Sequence, residues 1–212
     1  MKSIFALSTI ATLALGTSAL AGPAETSKVI THPSQGDKTE VKGATARLIR
    51  HDGGIFANFE TKDLTPGHIH TIWFVVVNDP AQCETPFACT AKDVLKRSDT
   101  VVSDVTGGAG VLVGADGAAS FNWHQSEGPL PGGWFGAGLI EADKAEIHLV
   151  INDHGPLIEG RAFDMLTSYR DGCTDESIPA PMPATARASG EAGPNTCRLV
   201  QFSIFKAPQP AS

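Results

Sequence analysis

The chain has few aromatic residues and no excess of positive charge. Only 7% of its 212 residues are Phe, Trp or Tyr, and 16 Lys and Arg stand against 23 Asp and Glu, which leaves a formal net charge of −7. Proteins that bind nucleic acids or anionic membrane surfaces usually carry clustered positive charge. The composition therefore argues against both kinds of partner.

Several motifs of catalysis and cofactor binding are also missing. The chain has no G-x-S-x-G, no phosphate loop, no dinucleotide fingerprint and no C-x-x-C pair. Glu141, Asp143 and Glu146 form an acidic cluster, which is typical of a solvated hairpin. Nucleophilic hydrolysis and nucleotide binding thus have no support, and whether the protein is an enzyme stays open.

Long apolar runs are absent beyond the N-terminus. No later stretch approaches the roughly 18 unbroken apolar residues of a spanning helix. At the start, Lys2 precedes an apolar and small-residue run that ends in Ala19-Leu20-Ala21, a small-x-small cleavage site. We predict a signal peptide at residues 1–21, with a retained anchor as the alternative. The mature protein is then secreted or periplasmic, without a membrane span.

Four cysteines remain in the mature chain, at positions Cys83, Cys89, Cys173 and Cys197. Exported proteins keep disulfides because their compartments are oxidising. Four cysteines allow three pairings, and proximity along the chain favours Cys83–Cys89 and Cys173–Cys197. Each closure is expected to contribute about 2–3 kcal/mol.

Alternating hydrophobicity, interrupted by Gly, Pro and Asp turns, predicts an all-β fold. We expect an antiparallel β-sandwich of about eight or nine strands with disulfide-stapled loops. One short helix is predicted in "CTAKDVLKR", with Thr90 as its N-cap and Asp93 three residues later. The predicted organisation is a loosely ordered N-terminal arm over 22–40 and one sandwich domain over 41–212.

The stretch "TPGHIHTIWFVVVNDPAQC" places two histidines at the start of a long strand that is apolar on both faces. Side chains two apart on a strand share a face, so His68 and His70 would have α-carbons about 6.6–6.8 Å apart. That separation is compatible with a shared metal ion, but a site needs a third ligand. His148 and His154 are the main candidates for it, and His124 is a further one.

Histidine ligands without free thiols favour copper or zinc. The first hypothesis is therefore an exported metal-binding sandwich, with metal-dependent redox activity as one role. The alternative is a non-catalytic ligand-binding or surface module whose histidines are structural. In that case Trp134, in the glycine-rich loop "PLPGGWFGAG", would face a small-molecule ligand or fold back onto the core.

The stretches "TPGHIHTIWFVVVNDPAQC" and "AEIHLVINDHGP" resemble an uncharacterised family of secreted bacterial β-sandwich proteins. The similarity covers most of the mature chain and implies no known activity. The H-x-H strand is also loosely similar to copper/zinc superoxide dismutases and to CHRD-type domains. Dismutases place further histidine ligands soon after the pair, whereas the next histidine here is His124. CHRD-type domains follow the motif with Gly, where this chain has Thr71.

Overall fold

In the part of the chain that the structure describes, nine strands form two antiparallel sheets that pack face to face. The structure, a computed structural model, describes residues 22–178 and 182–208, so the predicted signal peptide lies outside the described residues. The strands are β1 (Glu25–Ser27), β2 (Ile30–Thr31), β3 (Thr45–His51), β4 (Gly54–Thr61), β5 (His68–Val77), β6 (Ser103–Leu112), β7 (Ala119–Ser126), β8 (Glu146–Pro156) and β9 (Arg198–Phe205).

The first sheet has four strands in the order β1-β3-β4-β7, and the second has five in the order β2-β9-β8-β5-β6. All the strand pairs are antiparallel. The all-β prediction of eight or nine strands is confirmed. Where the sequence indicates one short helix, the described residues contain three short α-helices, namely α1 (Ala91–Lys96), α2 (Ala162–Thr167) and α3 (Ala184–Arg187). None of the helices in the described part of the chain is long and apolar enough to cross a membrane.

The main core lies between the two sheets. On β5, Ile72, Phe74 and Val76 face the four-stranded sheet and belong to one buried cluster with Phe59 and Phe121. Because side chains alternate along a strand, the residues between them face the opposite side of the five-stranded sheet. Ile72, Phe74 and Val76 thus define the inner face of β5, and Trp73 and Val77 lie on its outer face.

The outer face of the five-stranded sheet is also covered. Trp73 of β5 contacts Trp134 and Tyr169, with ring centroids 5.3 and 4.7 Å away. This second apolar cluster includes both cystines. The burial of both faces explains why β5 is apolar on both sides. Its place between β8 and β6 makes it central, which is the position that a strand apolar on both faces favours.

The cystines pair as proximity along the chain suggests. Cys83 is bonded to Cys89 and Cys173 to Cys197, each with α-carbons 5.3 Å apart. The predicted helix after the first cystine is α1. Thr90 precedes it, and the buried Asp93 accepts hydrogen bonds from the backbone N–H and the hydroxyl of Thr90, both at 2.9 Å.

Residues 22–40 are more ordered than the sequence suggests. Strand β1 pairs with β3, and β2 pairs with β9, so this segment adds one edge strand to each sheet. Val29, between the two strands, is fully buried. The polar, turn-rich composition predicts a loose arm because strands of three and two residues are too short to show alternation. Hydrogen bonds to existing sheet edges supply the order instead.

Candidate functional sites

His70 lies inside the sandwich at one end of the main core. It shares the inner face of β5 with Ile72 and is fully buried. The residue that reaches it is Asp153, its direct partner in the pairing of β5 with β8. Asp153 Oδ1 lies 2.9 Å from His68 Nδ1 and 3.8 Å from His70 Nε2. One carboxylate oxygen therefore stands beside both histidines of the pair.

Neither ring nitrogen of His70 has a hydrogen-bond partner in the described chain. Burial lowers the pKa of His70 to about 4, although the neighbouring Asp153 favours the charged form. The imidazole is therefore neutral near pH 7. It borders a cavity of about 290 Å³, the end cavity, whose other lining residues are Thr31, Gln35, Thr39, Glu40, Val41, Asp63, Leu64, Thr65, Arg198, Val200 and Gln201.

His154 lies on the opposite face of the sheet from His70. Its Nε2 accepts a hydrogen bond from the Thr71 hydroxyl at 2.8 Å, and its Nδ1 donates to the Asp171 carbonyl at 3.1 Å. The Thr71 oxygen in turn accepts the indole N–H of Trp73 at 2.9 Å. Both ring nitrogens therefore have hydrogen-bond partners, as in a structural histidine. Because His154 faces the other side of the sheet, the structure does not bring it to the H-x-H pair.

His154 does belong to a group of metal-ligand residue types. Within residues 22–178 and 182–208, the only three His, Cys, Asp or Glu residues whose potential ligand atoms all lie within 4.8 Å of one another are His154, Cys173 and Cys197. The two sulfurs are bonded to each other. A cystine supplies no thiolate, and the thiolate is the form that ligates metal. This group therefore does not fit a metal ion while the disulfide is intact.

His124 is remote from both places. It lies on β7 in the four-stranded sheet, where its ring stacks on His51 with centroids 5.6 Å apart and contacts Phe56 at 4.4 Å. Phe56 is half exposed, so this cluster is on the outer surface of that sheet. The structure does not bring His124 to His68 and His70.

His148 lines a cavity that we call the outer cavity. Its floor is the outer face of the five-stranded sheet, and its volume is about 580 Å³. The lining is largely apolar. The residues are His32, Pro33, Lys38, Trp73, Val75, Ala88, Cys89, Thr90, Ala91, Lys92, Val94, Leu95, Val105, Trp134, His148, Val150, Tyr169, Met182, Leu199, Phe202, Ile204 and Lys206.

The buried Glu146 contacts His148 and Lys206, which both line the outer cavity. Glu146 is fully buried, and its Oε1 accepts hydrogen bonds from His148 Nε2 at 2.8 Å and from the Cys89 N–H at 3.1 Å. The other oxygen lies 3.5 Å from the ammonium of Lys206. His148 Nδ1 makes no hydrogen bond within the described residues, and the ring lines the cavity. One nitrogen of this cavity-lining ring is thus without a hydrogen-bond partner among the described residues.

Trp134 folds back onto the core, which is one of the two alternatives for its loop, and its ring also borders the outer cavity. It is 8% exposed, so the glycine-rich loop folds back onto the sheet. Its ring packs edge-on against Tyr169 at 4.8 Å and also lines the outer cavity. The Trp is thus part of the second core and a wall of the cavity at once.

Sequence reasoning missed Asp153 and the role of Glu146. Asp153 stands in "NDHGP", which reads as a turn, but β8 continues through it to Pro156. Glu146 reads as a solvated hairpin residue, yet it begins β8 and is fully buried. The role of Glu146 could have been detected from its spacing, because Glu146 and His148 are two residues apart on a strand and share a face.

No protein-family model matches the chain, and no curated protein or solved structure shows a significant match to it.

Proposed function

We propose that this protein binds a small, largely apolar molecule in the outer cavity. The observation that carries the proposal is the cavity itself, with about 580 Å³ of space over an apolar sheet face. Small-molecule sites in proteins are typically clefts of about 300–1,000 Å³, lined by apolar and aromatic side chains with a few polar groups. The outer cavity has this size and this lining.

The aromatic wall supports binding by a preformed site. Trp73, Trp134 and Tyr169 contact one another, with ring centroids between 4.7 and 5.3 Å apart. The indole N–H of Trp73 is satisfied by Thr71, so its ring can offer apolar surface alone. A wall already held in place loses little conformational entropy when a ligand binds.

The cystines support both the cavity and export. Cys89 lines the cavity directly, and the Cys173–Cys197 bond belongs to the apolar cluster beneath Trp134. Disulfides persist in oxidising compartments. We therefore place the protein outside the cytoplasm, as a secreted or periplasmic binding protein.

A chain-length series tests the proposal. Linear alcohols from hexanol to dodecanol are titrated into the mature protein, with calorimetry and the fluorescence of Trp73 and Trp134 as readouts. Burial of each methylene contributes about 0.8 kcal/mol, so affinity should rise about fourfold per carbon until the chain outgrows the cavity. Affinity that does not change with chain length contradicts a built apolar site.

Two matched variants locate the binding. Val150→Trp fills the cavity from its floor and should abolish alcohol binding. Val102→Trp places the same side chain at a position that is 43% exposed and outside the cavity, and should leave affinity unchanged. Retention of binding in the Val150 variant would place the ligand elsewhere and reject this site.

A second function, metal binding, is favoured by the surroundings of His70. Its two buried nitrogens accept or donate no hydrogen bond that meets normal geometry within the described residues, and its low pKa keeps the ring in the neutral form that ligates metals. His68, His70 and Asp153 would be the donors, a set of two imidazoles and a carboxylate that suits zinc or copper. Their ligand atoms do not all lie within 4.8 Å of one another in this structure, so an ion would have to draw the two rings together. Bound copper supplies one-electron redox chemistry and bound zinc supplies Lewis acidity.

The two functions are separable by mutation. Metal content is measured on the purified protein, and zinc and copper are titrated into it and into His68→Ala/His70→Ala. Stoichiometric binding should be lost in that double variant and kept in His148→Ala, whose ring faces the other cavity. Equal loss in both variants, or no binding above the double variant's background, rules out a site at the H-x-H pair.

A further inference from the structure

The outer cavity is positively charged at its lining, although the chain as a whole is acidic. Three lysines, Lys38, Lys92 and Lys206, border it, and none of the described lining residues is a carboxylate. The full sequence has 23 acidic residues against 16 basic ones. The lysines at the rim of this apolar cavity therefore give it a local charge opposite in sign to the net charge of the protein.

The three lysines differ in how far they are already neutralised. Lys92 forms a salt bridge with Glu84 at 2.7 Å. The ammonium of Lys206 donates to the Phe87 carbonyl at 2.8 Å and lies 3.5 Å from Glu146. Lys38 forms no salt bridge within the described residues. At least one ammonium at the rim is thus available to an anionic ligand group.

His148 adds a directional contact inside the cavity. Its Nε2 hydrogen donates to the carboxylate of Glu146, and Nδ1 of this cavity-lining ring has no hydrogen-bond partner within the described residues. A carboxylic acid can place one proton between its own oxygen and this Nδ1. Glu146 holds the imidazole in place through its hydrogen bond with Nε2. Glu146 is thus a positioning residue, and His148 is the residue that contacts the ligand.

We propose that the ligand of the outer cavity is a monocarboxylic acid with an apolar body. The body lies against the Trp73 and Trp134 wall, and the carboxylate lies between His148 Nδ1 and the lysine rim. This inference rests on the proposed binding function and narrows it to one head-group chemistry. It also gives the rim lysines and the Glu146–His148 pair a role that an entirely apolar ligand would leave unused.

Ligands that differ only in their head group test the inference. Decanoate, decanol, decylammonium and decyl phosphate, each below its micellar concentration, are titrated into the mature protein by calorimetry. Decanoate should bind at least tenfold more tightly than decanol, because a hydrogen bond to a charged group contributes more than a neutral one. Decylammonium should bind most weakly.

The possible outcomes separate the two proposals. If decanol binds as tightly as decanoate, the carboxylic acid is rejected while apolar binding stands. If decyl phosphate binds more tightly than decanoate, the ligand is a phosphate amphiphile and the inference is overturned. If none of the four binds, the proposed function fails together with the inference.

Variants identify the residues responsible. His148→Asn and Glu146→Gln should each weaken decanoate binding about tenfold and leave decanol binding nearly unchanged, which also shows that the variants are folded. Lys38→Met should reduce the preference for decanoate, whereas Lys96→Met, an exposed lysine outside the cavity, should not. Parallel losses of decanoate and decanol affinity would indicate a merely structural role and overturn the assignment.

Discussion

Asp153 lies directly opposite His70 where β8 pairs with β5, and its Oδ1 stands 3.8 Å from Nε2 of that buried imidazole. The same oxygen accepts the backbone N–H of Gly155 at 2.8 Å and contacts His68 at 2.9 Å. The carboxylate is 2% exposed. The carboxylate of Asp153 therefore links His68, His70 and the Gly155 backbone at this end of the sandwich.

Removal of that carboxylate should destabilise the fold. Asp153→Ala leaves the Gly155 N–H without an acceptor and takes away the carboxylate partner of His68, so the free energy of unfolding should fall by about 2–4 kcal/mol. Urea denaturation measures it. Glu60→Ala removes an exposed carboxylate that has no hydrogen bond or ion pair with any described residue, and should change stability by less than about 0.5 kcal/mol. Similar losses in both variants would contradict a structural role for Asp153.

Stability should fall on mild acidification because His70 is buried neutral. Its pKa is about 4 in the folded protein, against about 6.5 for an unfolded chain. Between these pH values the unfolded state binds a proton that the folded state does not. The stability contribution is thus complete above pH 6.5 and is lost as pH falls toward 4, by up to ~3 kcal/mol from His70. Burial lowers the pKa of His154 in the same direction.

Urea denaturation from pH 7.5 to 4.5, with chelator present, measures this dependence. His70→Gln removes the titrating group at the end cavity and should flatten the profile. A substitution at the exposed ring of His124 should leave the slope as it is. A profile that is equally steep with and without His70 would show that its titration is not coupled to folding.

Asp93 should matter for the outer cavity although it does not line it. Its carboxylate accepts the N–H groups of Glu84 and Thr90 at 2.7 and 2.9 Å, and so holds the cystine loop against α1. Asp93→Ala leaves these donors unpaired, so stability should drop by about 2–4 kcal/mol. Decanol affinity should fall as well, because Val94 and Leu95 of α1 line the cavity. Asp99→Ala, an exposed acid in the next segment, is the matched control for calorimetry and denaturation.

The two cystines should differ in their contributions to stability. Cys173 and Cys197 are 24 residues apart, whereas Cys83 and Cys89 are 6 apart. In the chain-entropy model the larger loop gives about 3 kcal/mol and the smaller about 2 kcal/mol. Double Cys→Ser variants compared by urea denaturation measure the difference. A greater loss from the small loop would mean that the contacts of Cys89 beside Glu146 outweigh loop entropy.

Sequence patterning was most informative where it concerned neighbouring residues. The run after Ile72 is apolar on both faces, and β5 is indeed central because the opposite sheet covers one face and Trp134 and Tyr169 cover the other. Short spacing along the chain also indicated the cystine pairs correctly.

Patterning was least informative about residues that meet through pairing of distant strands. The pairing of β5 with β8 shifts register between His68 and His70, so period-two spacing alone does not describe how the two rings sit. Their centroids are 6.3 Å apart. Asp153 joins them from 83 residues beyond His70, through a ladder that no local signal specifies.

The sequence by itself determined the strand periodicity, the class of fold and the proximal cystines, because these depend on residues a few positions apart. Only the tertiary structure decided that His70 and His154 face opposite sides of one sheet and that Asp153 lies beside the first. It also decided that residues as far apart in the chain as His32 and Lys206 line one cavity. The physical reason is that alternation assigns a side chain to a face, whereas strand order and register determine what lies across from it.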